Sequence, residues 1–339
     1  MNKKEVYIIA EAGVNHNGSL ALGKELIDIA KESGANAVKF QTFLPGECTG
    51  KFATKVDYIE KEYDENISRF DITQSLILPF DSFKELAQYA KLVGIDFLST
   101  PDGEKSLNFV CDVLDVPAIK VASTELTNIP FLKLIAKKNK PIILSTGIGT
   151  IAEVEKAIQA ITEEGNEQLT ILHAVSEYPA PIDECNVSVI KTMKDSFGFS
   201  VGFSDHTVGH VASICAVSQG ASVIEKHFTK SKNLPGPDHK ASMEPKELIE
   251  FVSSIRQAES CLGDGIKKPQ KSELSNMNGI RRSVVAKTDL KKGHILTIDN
   301  LVLKRPGHGI HPYDIEKLVG FQINRDLRED EPILWEFLK

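Results

Sequence analysis

Arginine is scarce in most of this chain. Of the seven arginines among its 339 residues, only Arg69 and Arg256 precede residue 280. An anion bound by that part of the chain would be held by lysine, serine and threonine side chains and by backbone amides. The net charge of −7 also disfavours a nucleic-acid partner or an acidic membrane surface.

Cysteine is also scarce, and long apolar segments are missing. The five cysteines are scattered and form no CxxC pair, which predicts free, mostly buried thiols in a reducing cytoplasm. No segment has the length of a membrane span, and the apolar run near the N-terminus is too short for a signal peptide. We therefore expect a cytoplasmic protein with no membrane and no nucleic-acid partner.

The chain shows instead a regular alternation of two patterns. Short runs rich in β-branched residues alternate with segments of helical periodicity, as in parallel strands buried on both faces. The predicted strands are 6–11, 37–43, 96–101, 118–123, 141–146, 168–174, 199–204 and 221–228. This repetition predicts an α/β fold, a (β/α)8 TIM barrel. An open doubly wound sheet is the alternative, disfavoured because no GxGxxG follows the first strand.

The composition changes after residue 262. Residues 263–280 are polar and turn-rich, and residues 281–339 carry short strands and glycine turns typical of a small β-rich module. Such a module has a thin core and is expected to rest on something larger. We predict a catalytic barrel over 1–262, a linker over 263–280 and a separate domain over 281–339. The long connection at 44–80 is predicted to be a functional loop.

Two histidines stand just past two successive predicted strands. Asp205 and His206 end the seventh strand, and Glu225 and His227 end the eighth. Active sites of such barrels lie at the carboxyl ends of strands about 5 Å apart, so both imidazoles can bind one divalent cation such as Mn, Fe, Co or Zn. Asp205 and Glu225 are candidates for orienting the rings. The alternative is a hydrogen-bonded core histidine or a helix cap at each position.

Lysines and hydroxyl side chains end other predicted strands. They are Lys39, Thr100, Lys120, Ser123 and Ser145. Two ammonium groups with several hydroxyls can neutralise a phosphate dianion where arginine is scarce. Two alternatives stay open: one lysine is only a structural partner of Glu11 or Glu125, or Lys120 forms a Schiff base as in a class I aldolase.

Collinear motifs along the whole chain resemble those of the sialic acid synthase family. The matching segments are IIAEAGVNHNG, VKFQTF, FLSTP, ILSTG, GFSDHT, IEKHFT, GPDHKASMEP and KRPGHGI. The resemblance implies a TIM barrel followed by a C-terminal antifreeze-like (SAF) domain. It also implies a transferase that condenses phosphoenolpyruvate with an N-acetylated mannose-type sugar, giving a nine-carbon 3-deoxy-2-ulosonic acid and phosphate.

The resemblance implies roles for individual residues. His206 and His227 match the ligands of Mn²⁺, with Mg²⁺ or Co²⁺ as alternatives. The phosphoenolpyruvate contacts match Lys39, Thr100, Lys120, Ser123, Ser145 and Ser176. The sugar contacts match Glu11, Gln41, Tyr178, Asp238 and Arg305. In the family the matching arginine reaches the barrel of the partner subunit, which implies a domain-swapped homodimer.

The expected reaction needs a Lewis acid and a base. The cation at the two histidines would polarise the sugar aldehyde, and Glu225 or Glu125 would activate the water that adds to the pyruvyl carbon. The acceptor is N-acetylmannosamine or a 2,4-diacetamido-trideoxy hexose, and the segments AEAGVNHNG and GDGIKK favour the second, legionaminate-type sugar. Departures from the family pattern at Asp102, Thr124 and Ser176 bear on this choice. A Schiff-base aldolase and a non-catalytic sugar-binding protein are the rival functions.

Overall fold

A closed barrel of eight parallel strands forms the larger part of the molecule. The structure is a computed structural model that describes residues 5–44, 46–55 and 66–339. The strands are β1 (Tyr7–Gly13), β2 (Ala37–Thr42), β3 (Asp96–Pro101), β4 (Ile119–Val121), β5 (Ile142–Ser145), β6 (Leu169–Ala174), β7 (Ser200–Asp205) and β8 (Val223–His227). Each strand pairs with the next, and β8 pairs with β1. The predicted barrel is confirmed, and the open sheet is wrong.

Helices follow the strands around the barrel. They are α1 (Leu20–Glu32), α2 (Arg69–Ser75), α3 (Phe80–Val93), α4 (Glu104–Asn108), α5 (Ile129–Ala136), α6 (Ile151–Thr162), α7 (Val189–Phe197), α8 (Val211–Ser218) and α9 (Pro245–Leu262). Local signals set their ends: Ser19 caps α1, a Thr150–Glu153 capping box begins α6, and Gly94 ends α3 with a φ of 76°. The predicted loop at 44–80 contains α2, and its residues 56–65 lie outside the described residues.

The barrel interior has two layers because alternate strand residues face inward. The lower layer is apolar and consists of Ile9, Ala37, Leu98, Ile143, Leu172 and Val223. Two residues further along five of these strands the inward positions become polar or charged: Glu11, Lys39, Thr100, Ser145 and Glu225. The apolar layer therefore closes the barrel from below, and the polar layer opens towards the carboxyl ends of the strands.

The chain divides into two compact units, residues 1–263 and 264–339. The second unit contains α10 (Lys271–Ile280), β9 (Ser283–Ala286), β10 (Leu301–Lys304) and a 3-10 helix at Pro312–Leu318. Strands β9 and β10 pair antiparallel around a small apolar core. The predicted linker over 263–280 contains α10, which a Gln270–Glu273 capping box initiates.

The cysteine prediction holds only in part. All five cysteines are free, but only Cys111 and Cys185 are buried, whereas Cys48, Cys215 and Cys261 are exposed. Among the described residues, no helix combines the length and apolarity required to cross a bilayer. The cytoplasmic location stays a prediction.

Candidate active site

Two lysines and two glutamates form a buried ionic layer above the apolar floor of the barrel. Lys39 Nζ lies 2.9 Å from Glu11 Oε2 and 3.6 Å from Glu225 Oε2. Lys120 Nζ lies 3.6 Å from Glu225 Oε1. All four side chains are buried, so each charge depends on the others. The possibility that a lysine pairs with Glu11 is thus realised, within a network that joins both lysines.

The two glutamates have very different electrostatic surroundings. Burial, with the neighbouring Glu225 charge, raises the pKa of Glu11 to about 7, although Lys39 opposes this shift. Burial also acts on Glu225, but Lys120, Lys39 and a 2.8 Å hydrogen bond from Ser204 Oγ outweigh it and lower the pKa of Glu225 to about 2. Glu225 is therefore a permanent anion, and Glu11 can exchange a proton near neutral pH.

The two lysines also differ. Burial and the neighbouring Lys39 charge lower the pKa of Lys120 to about 8, although Glu225 opposes them. Burial acts on Lys39 in the same direction, but Glu11 and Glu225 raise its pKa above the usual value. At neutral pH the layer thus presents two ammonium groups towards the mouth of the barrel.

Hydroxyl groups surround these ammonium groups. Lys39 Nζ donates to Thr100 Oγ1 at 3.1 Å, and Lys120 Nζ donates to Ser145 Oγ at 2.7 Å. Beyond Ser145, the backbone N–H of Gly147 donates to Ser123 Oγ at 2.9 Å. A Cβ atom on Gly147 would lie only 2.2 Å from Ser176 Oγ, so this serine lies beside the same glycine. The structure therefore brings together all the residues predicted to hold phosphoenolpyruvate.

The two histidines converge beside this layer. The ring centroids of His206 and His227 are 5.7 Å apart, with an interplanar angle of 59°. His206 Nδ1 lies 2.6 Å from the carbonyl oxygen of Val175, so Nδ1 carries the proton and Nε2 is the nitrogen that can bind a ligand. His227 Nδ1 is buried and has no hydrogen-bond partner within the described residues.

The histidine pair fits a divalent cation chemically. Burial lowers the pKa of His206 to about 4. Burial, the repulsion that a protonated His206 would exert and the Lys39 charge together hold the pKa of His227 well below its usual value. Both rings are therefore neutral at pH 7, as metal binding by imidazole requires. The described residues contain no group of three or more His, Cys, Asp or Glu arranged to hold a metal. A cation here would bind two imidazoles and complete its coordination with water or substrate.

The residues predicted to contact the sugar line the same mouth. The Tyr178 ring lies 4.1 Å from the His206 ring and 5.5 Å from the His227 ring. Asp238 Oδ2 lies 3.9 Å from His227 Nδ1, and burial raises the pKa of Asp238 to about 6. A Cβ on Gly13 would lie within 3.6 Å of Glu11, Asp238 and His227, so the missing side chain leaves space between them.

Two predicted carboxylates lie near the mouth on the opposite side. Glu125 occupies the turn after β4, where its Oε2 accepts a 2.6 Å hydrogen bond from Asn128 Nδ2. Burial and then Glu125 raise the pKa of Asp102 to about 7, against the opposing charges of Lys39 and Lys120. Gln41 is half-buried and shares the inward face of β2 with Lys39.

The structure corrects one site prediction and adds one residue. Asp205 does not touch either imidazole, because it faces the outside of the barrel, where its carboxylate pairs with Lys226 at 3.1 Å. Ser204 was missed: its hydroxyl bonds Glu225 and lies 3.4 Å from His206 Nε2. The two-residue period of a strand was the available signal, since Ser204 and His206 share a face and Asp205 does not.

Among the contacts that the structure describes, neither arginine of the barrel unit reaches this site. Arg256 donates to the carbonyl oxygen of Val6 and to Asn36, near the start of the strands, and Arg69 donates to the carbonyl oxygen of Thr54. Arg305 belongs to the second unit, where its Nε donates to the carbonyl oxygen of Ile280 at 2.9 Å.

Comparison with known proteins places this geometry in a family. The NeuB family model matches residues 26–267, and the SAF domain model matches residues 281–339. The chain belongs to the NeuB family. The predicted resemblance to sialic acid synthases is thereby confirmed, and membership favours an enzyme over a non-catalytic sugar-binding protein.

The relatives of this NeuB family chain are similar over nearly its full length. N,N'-diacetyllegionaminic acid synthase of Campylobacter jejuni is 46% identical, covering 97% of this chain and 99% of the relative. The protein of the same name from Legionella pneumophila is 43% identical, covering 98% and 94%. A crystal structure of N-acetylneuraminic acid synthetase from Leptospira borgpetersenii, in complex with citrate, matches with a TM-score of 0.70 at 33% identity, covering 80% of this chain and 90% of that one.

Proposed function

We propose that this protein is a nonulosonic acid synthase that condenses phosphoenolpyruvate with an acetamido sugar of the mannose type. The observation that carries the proposal is the pair of buried ammonium groups, Lys39 and Lys120, flanked by hydroxyls and set beside two neutral imidazoles. The first group suits a phosphorylated carboxylate, and the second suits a Lewis acid next to an aldehyde.

The proposed reaction balances without a redox partner. The C3 carbon of phosphoenolpyruvate forms a bond to the aldehyde carbon of the open-chain sugar, and the aldehyde oxygen becomes a hydroxyl. Water then adds to the pyruvyl C2, and cleavage of the C2–O bond releases inorganic phosphate. The products are a nine-carbon 3-deoxy-2-ulosonic acid and phosphate.

The described residues can assist each stage of this reaction. Lys39, Lys120 and the serines beside Gly147 bind and orient the phosphate and carboxylate of phosphoenolpyruvate. Of the two carboxylates predicted to activate water, Glu225 is a weak base because its pKa is about 2. We therefore assign that role to Glu125 and regard Glu225 as the anion that fixes both ammonium groups.

His206 and His227 would hold a divalent cation, for which we propose Mn²⁺, with Mg²⁺ or Co²⁺ as alternatives. When bound, such a cation polarises the aldehyde oxygen as a Lewis acid. The neutral rings, the Val175 carbonyl that fixes the His206 tautomer and the unpaired Nδ1 of His227 support this assignment. Asp238 Oδ2, at 3.9 Å from His227 Nδ1, does not hydrogen-bond the ring, so the two imidazoles leave room for water and for the sugar.

We propose a 2,4-diacetamido-trideoxy hexose as the acceptor, with N-acetylmannosamine as the alternative. The proposal rests on the two legionaminic acid synthases similar to the chain, and Glu11, Gln41, Tyr178 and Asp238 would contact the sugar. It also includes a homodimer in which Arg305 of one copy completes the barrel of the other. Among the described contacts, neither arginine of the barrel unit bonds the ionic layer, and Phe52, Ile148 and Val208 are exposed apolar residues on the loops after β2, β5 and β7. Both features support a partner at the mouth.

A turnover assay tests the proposed function. The purified chain is incubated with Mn²⁺, phosphoenolpyruvate and either acceptor sugar, and released phosphate and product mass are measured. We expect turnover with the diacetamido sugar to exceed that with N-acetylmannosamine, and we expect His227→Ala to abolish it while circular dichroism stays unchanged. No phosphate release with either sugar, or a fully active His227→Ala variant, would contradict the proposal.

One observation favours the rival Schiff-base aldolase. A lysine whose pKa is lowered to about 8 by burial, as for Lys120, is a better nucleophile than an ordinary lysine. Borohydride reduction in the presence of pyruvate separates the two reactions. A covalent pyruvyl adduct on Lys120 would support the aldolase, whereas phosphate release without an adduct supports the synthase.

A further inference from the structure

A second buried ion pair lies directly behind the two histidines, on the outer face of the barrel wall. Asp205 and Lys226 form the last pair between β7 and β8, and each immediately precedes one of the histidines. Lys226 Nζ lies 3.1 Å from Asp205 Oδ1, and both side chains are buried. Because alternate strand residues face opposite sides, neither group points into the barrel, where a substrate would bind.

The hydrogen bonds of this pair join three elements. Asp205 Oδ1 accepts from the backbone N–H and the hydroxyl of Thr207, both at 2.8 Å, and Oδ2 accepts from Ser213 Oγ at 2.5 Å. Lys226 Nζ donates to the carbonyl oxygen of Thr207. The four residues Asp205, Thr207, Ser213 and Lys226, here called the outer brace, thus connect β8, the turn after β7 and the first turn of α8.

The outer brace holds the backbone on both sides of His206. Asp205 and Thr207 flank this histidine, and each bonds both to the other and to Lys226. The ladder between β7 and β8 ends at this pair, and beyond it the His206 carbonyl oxygen accepts a 2.9 Å hydrogen bond from Ala180 N–H. The side-chain bonds of the outer brace continue the connection where the strand pairing stops.

His227 depends even more on its backbone position. Its Nδ1 has no hydrogen-bond partner in the part of the chain that the structure describes, whereas the His206 ring is held by Val175. The His227 backbone is held by its pairing with Glu11 of β1, by the preceding Lys226 and by a 3.0 Å hydrogen bond from Met243 N–H to its carbonyl oxygen. A buried ion pair rarely stabilises a protein more than an apolar pair would. The complete hydrogen bonding of Asp205 and Lys226 therefore favours a role in orienting the two histidines.

We propose that the outer brace is a positioning element that sets the separation of His206 and His227 and thereby the affinity of the chain for a divalent cation. The inference rests on the cation site of the proposed function. Its residues act through the histidines and touch neither substrate nor cation.

Mn²⁺ binding to the metal-free protein tests this inference without relying on activity. Isothermal titration calorimetry gives the Kd of the wild type, of Ser213→Ala and of the double variant Asp205→Asn/Lys226→Met, which avoids leaving one charge unpaired. We expect the Kd to rise about tenfold for the double variant and less for Ser213→Ala. The visible spectrum of the Co²⁺-loaded protein, which reports coordination geometry, should change in parallel.

Ser99→Ala is the matched control. Ser99 is also buried on the outer face, where its hydroxyl lies 2.7 Å from Thr42 Oγ1 and 3.2 Å from the carbonyl oxygen of Phe40, between β2 and β3. Its loss should lower the melting temperature about as much as Ser213→Ala does, and should leave the Kd for Mn²⁺ unchanged. If Ser99→Ala instead weakens Mn²⁺ binding as much as Ser213→Ala does, the loss of affinity comes from general destabilisation, and the outer brace does not set the affinity.

The outcomes separate this inference from the proposed function. If the wild type binds no Mn²⁺, the cation site of the proposed function is wrong, and the inference about the outer brace is wrong with it. A wild type that binds Mn²⁺, together with folded brace variants of unchanged Kd, would overturn the positioning role alone. If the double variant does not fold, Ser213→Ala and Thr207→Val decide by the same measurement. The variants of the outer brace should also have a lower kcat at limiting Mn²⁺, and excess Mn²⁺ should restore it. Their KM for phosphoenolpyruvate should stay unchanged.

Discussion

Lys120 is the residue at which burial and charge conflict most clearly. Its ammonium group is held by Ser145 and lies near Glu225, yet burial and Lys39 lower its pKa to about 8. Lys39 has two glutamate neighbours and keeps its proton more tightly. Of the two cations that would bind phosphoenolpyruvate, Lys120 is therefore the one that loses its charge first as the pH rises.

The pH profile should show this loss. Below about pH 8 Lys120 is protonated and attracts the anionic substrate, and above it the neutral amine does not. We expect kcat/KM for phosphoenolpyruvate, which reports the free enzyme, to fall about tenfold per unit above that pH. The measurement is a steady-state profile at constant ionic strength.

Lys120→Arg is the control for this assignment. A guanidinium stays protonated throughout this pH range, so kcat/KM of Lys120→Arg should no longer fall at alkaline pH. Its kcat/KM should be lower than that of the wild type, because a guanidinium has a different geometry from an ammonium group. If kcat/KM of Lys120→Arg falls above about pH 8 as it does in the wild type, the group that loses its proton is not Lys120.

At the scale of elements, the loop after β5 organises two serines from different strands. The Gly147 N–H binds Ser123, which follows β4, and Ser176, which follows β6, lies against its Cα. Only a residue without a side chain fits between them. The loop thus brings groups that follow three neighbouring strands onto one surface, at which we propose that phosphoenolpyruvate binds.

Gly147→Ala should damage this surface without unfolding the barrel. The new Cβ would lie 2.2 Å from Ser176 Oγ and 2.9 Å from Ser123 Oγ, so both hydroxyls must move. We expect the KM for phosphoenolpyruvate to rise by about 10- to 100-fold, because small displacements of binding groups are costly. Gly279→Ala, at an exposed position of α10 where a Cβ meets no described atom within 4 Å, should have no effect on KM. An equal KM in Gly147→Ala and wild type would refute the role of the loop.

The strands and helices were predictable because their signals are local. Continuous apolar runs, glycine after helix ends and Pro245 at the start of α9 marked the elements directly. Side-chain direction needs more, since it depends on the two-residue period within each strand. Ignoring that period placed Asp205 beside the histidines and left Ser204 unnoticed. The pKa difference between Glu11 and Glu225 was beyond sequence reasoning, because it arises from distances to lysines on β2 and β4.

At the scale of the whole molecule, the proposed domain-swapped dimer predicts complementation. In a mixture of His227→Ala and Arg305→Ala chains, a heterodimer has one barrel with both histidines that receives Arg305 from the other copy. After subunit exchange we expect about one quarter of wild-type turnover, since half of the dimers are mixed and each has one intact site.

Each single variant assayed alone is the control and should be nearly inactive. If each arginine served its own barrel, no dimer in the mixture would have an intact site. Turnover no higher than the sum of the separate variants would therefore exclude the swapped arrangement, provided that exchange is shown by mass spectrometry of differently labelled chains.

Closure of the eight strands has a consequence for molecular recognition by the large unit. Because β8 bonds back to β1, the barrel offers no open edge along which a foreign peptide could align as an extra strand. Association with this unit must instead use loops and helix surfaces, whose side chains vary without disturbing the hydrogen-bonded wall. Binding preferences can thus diverge among relatives while the cylinder itself stays the same.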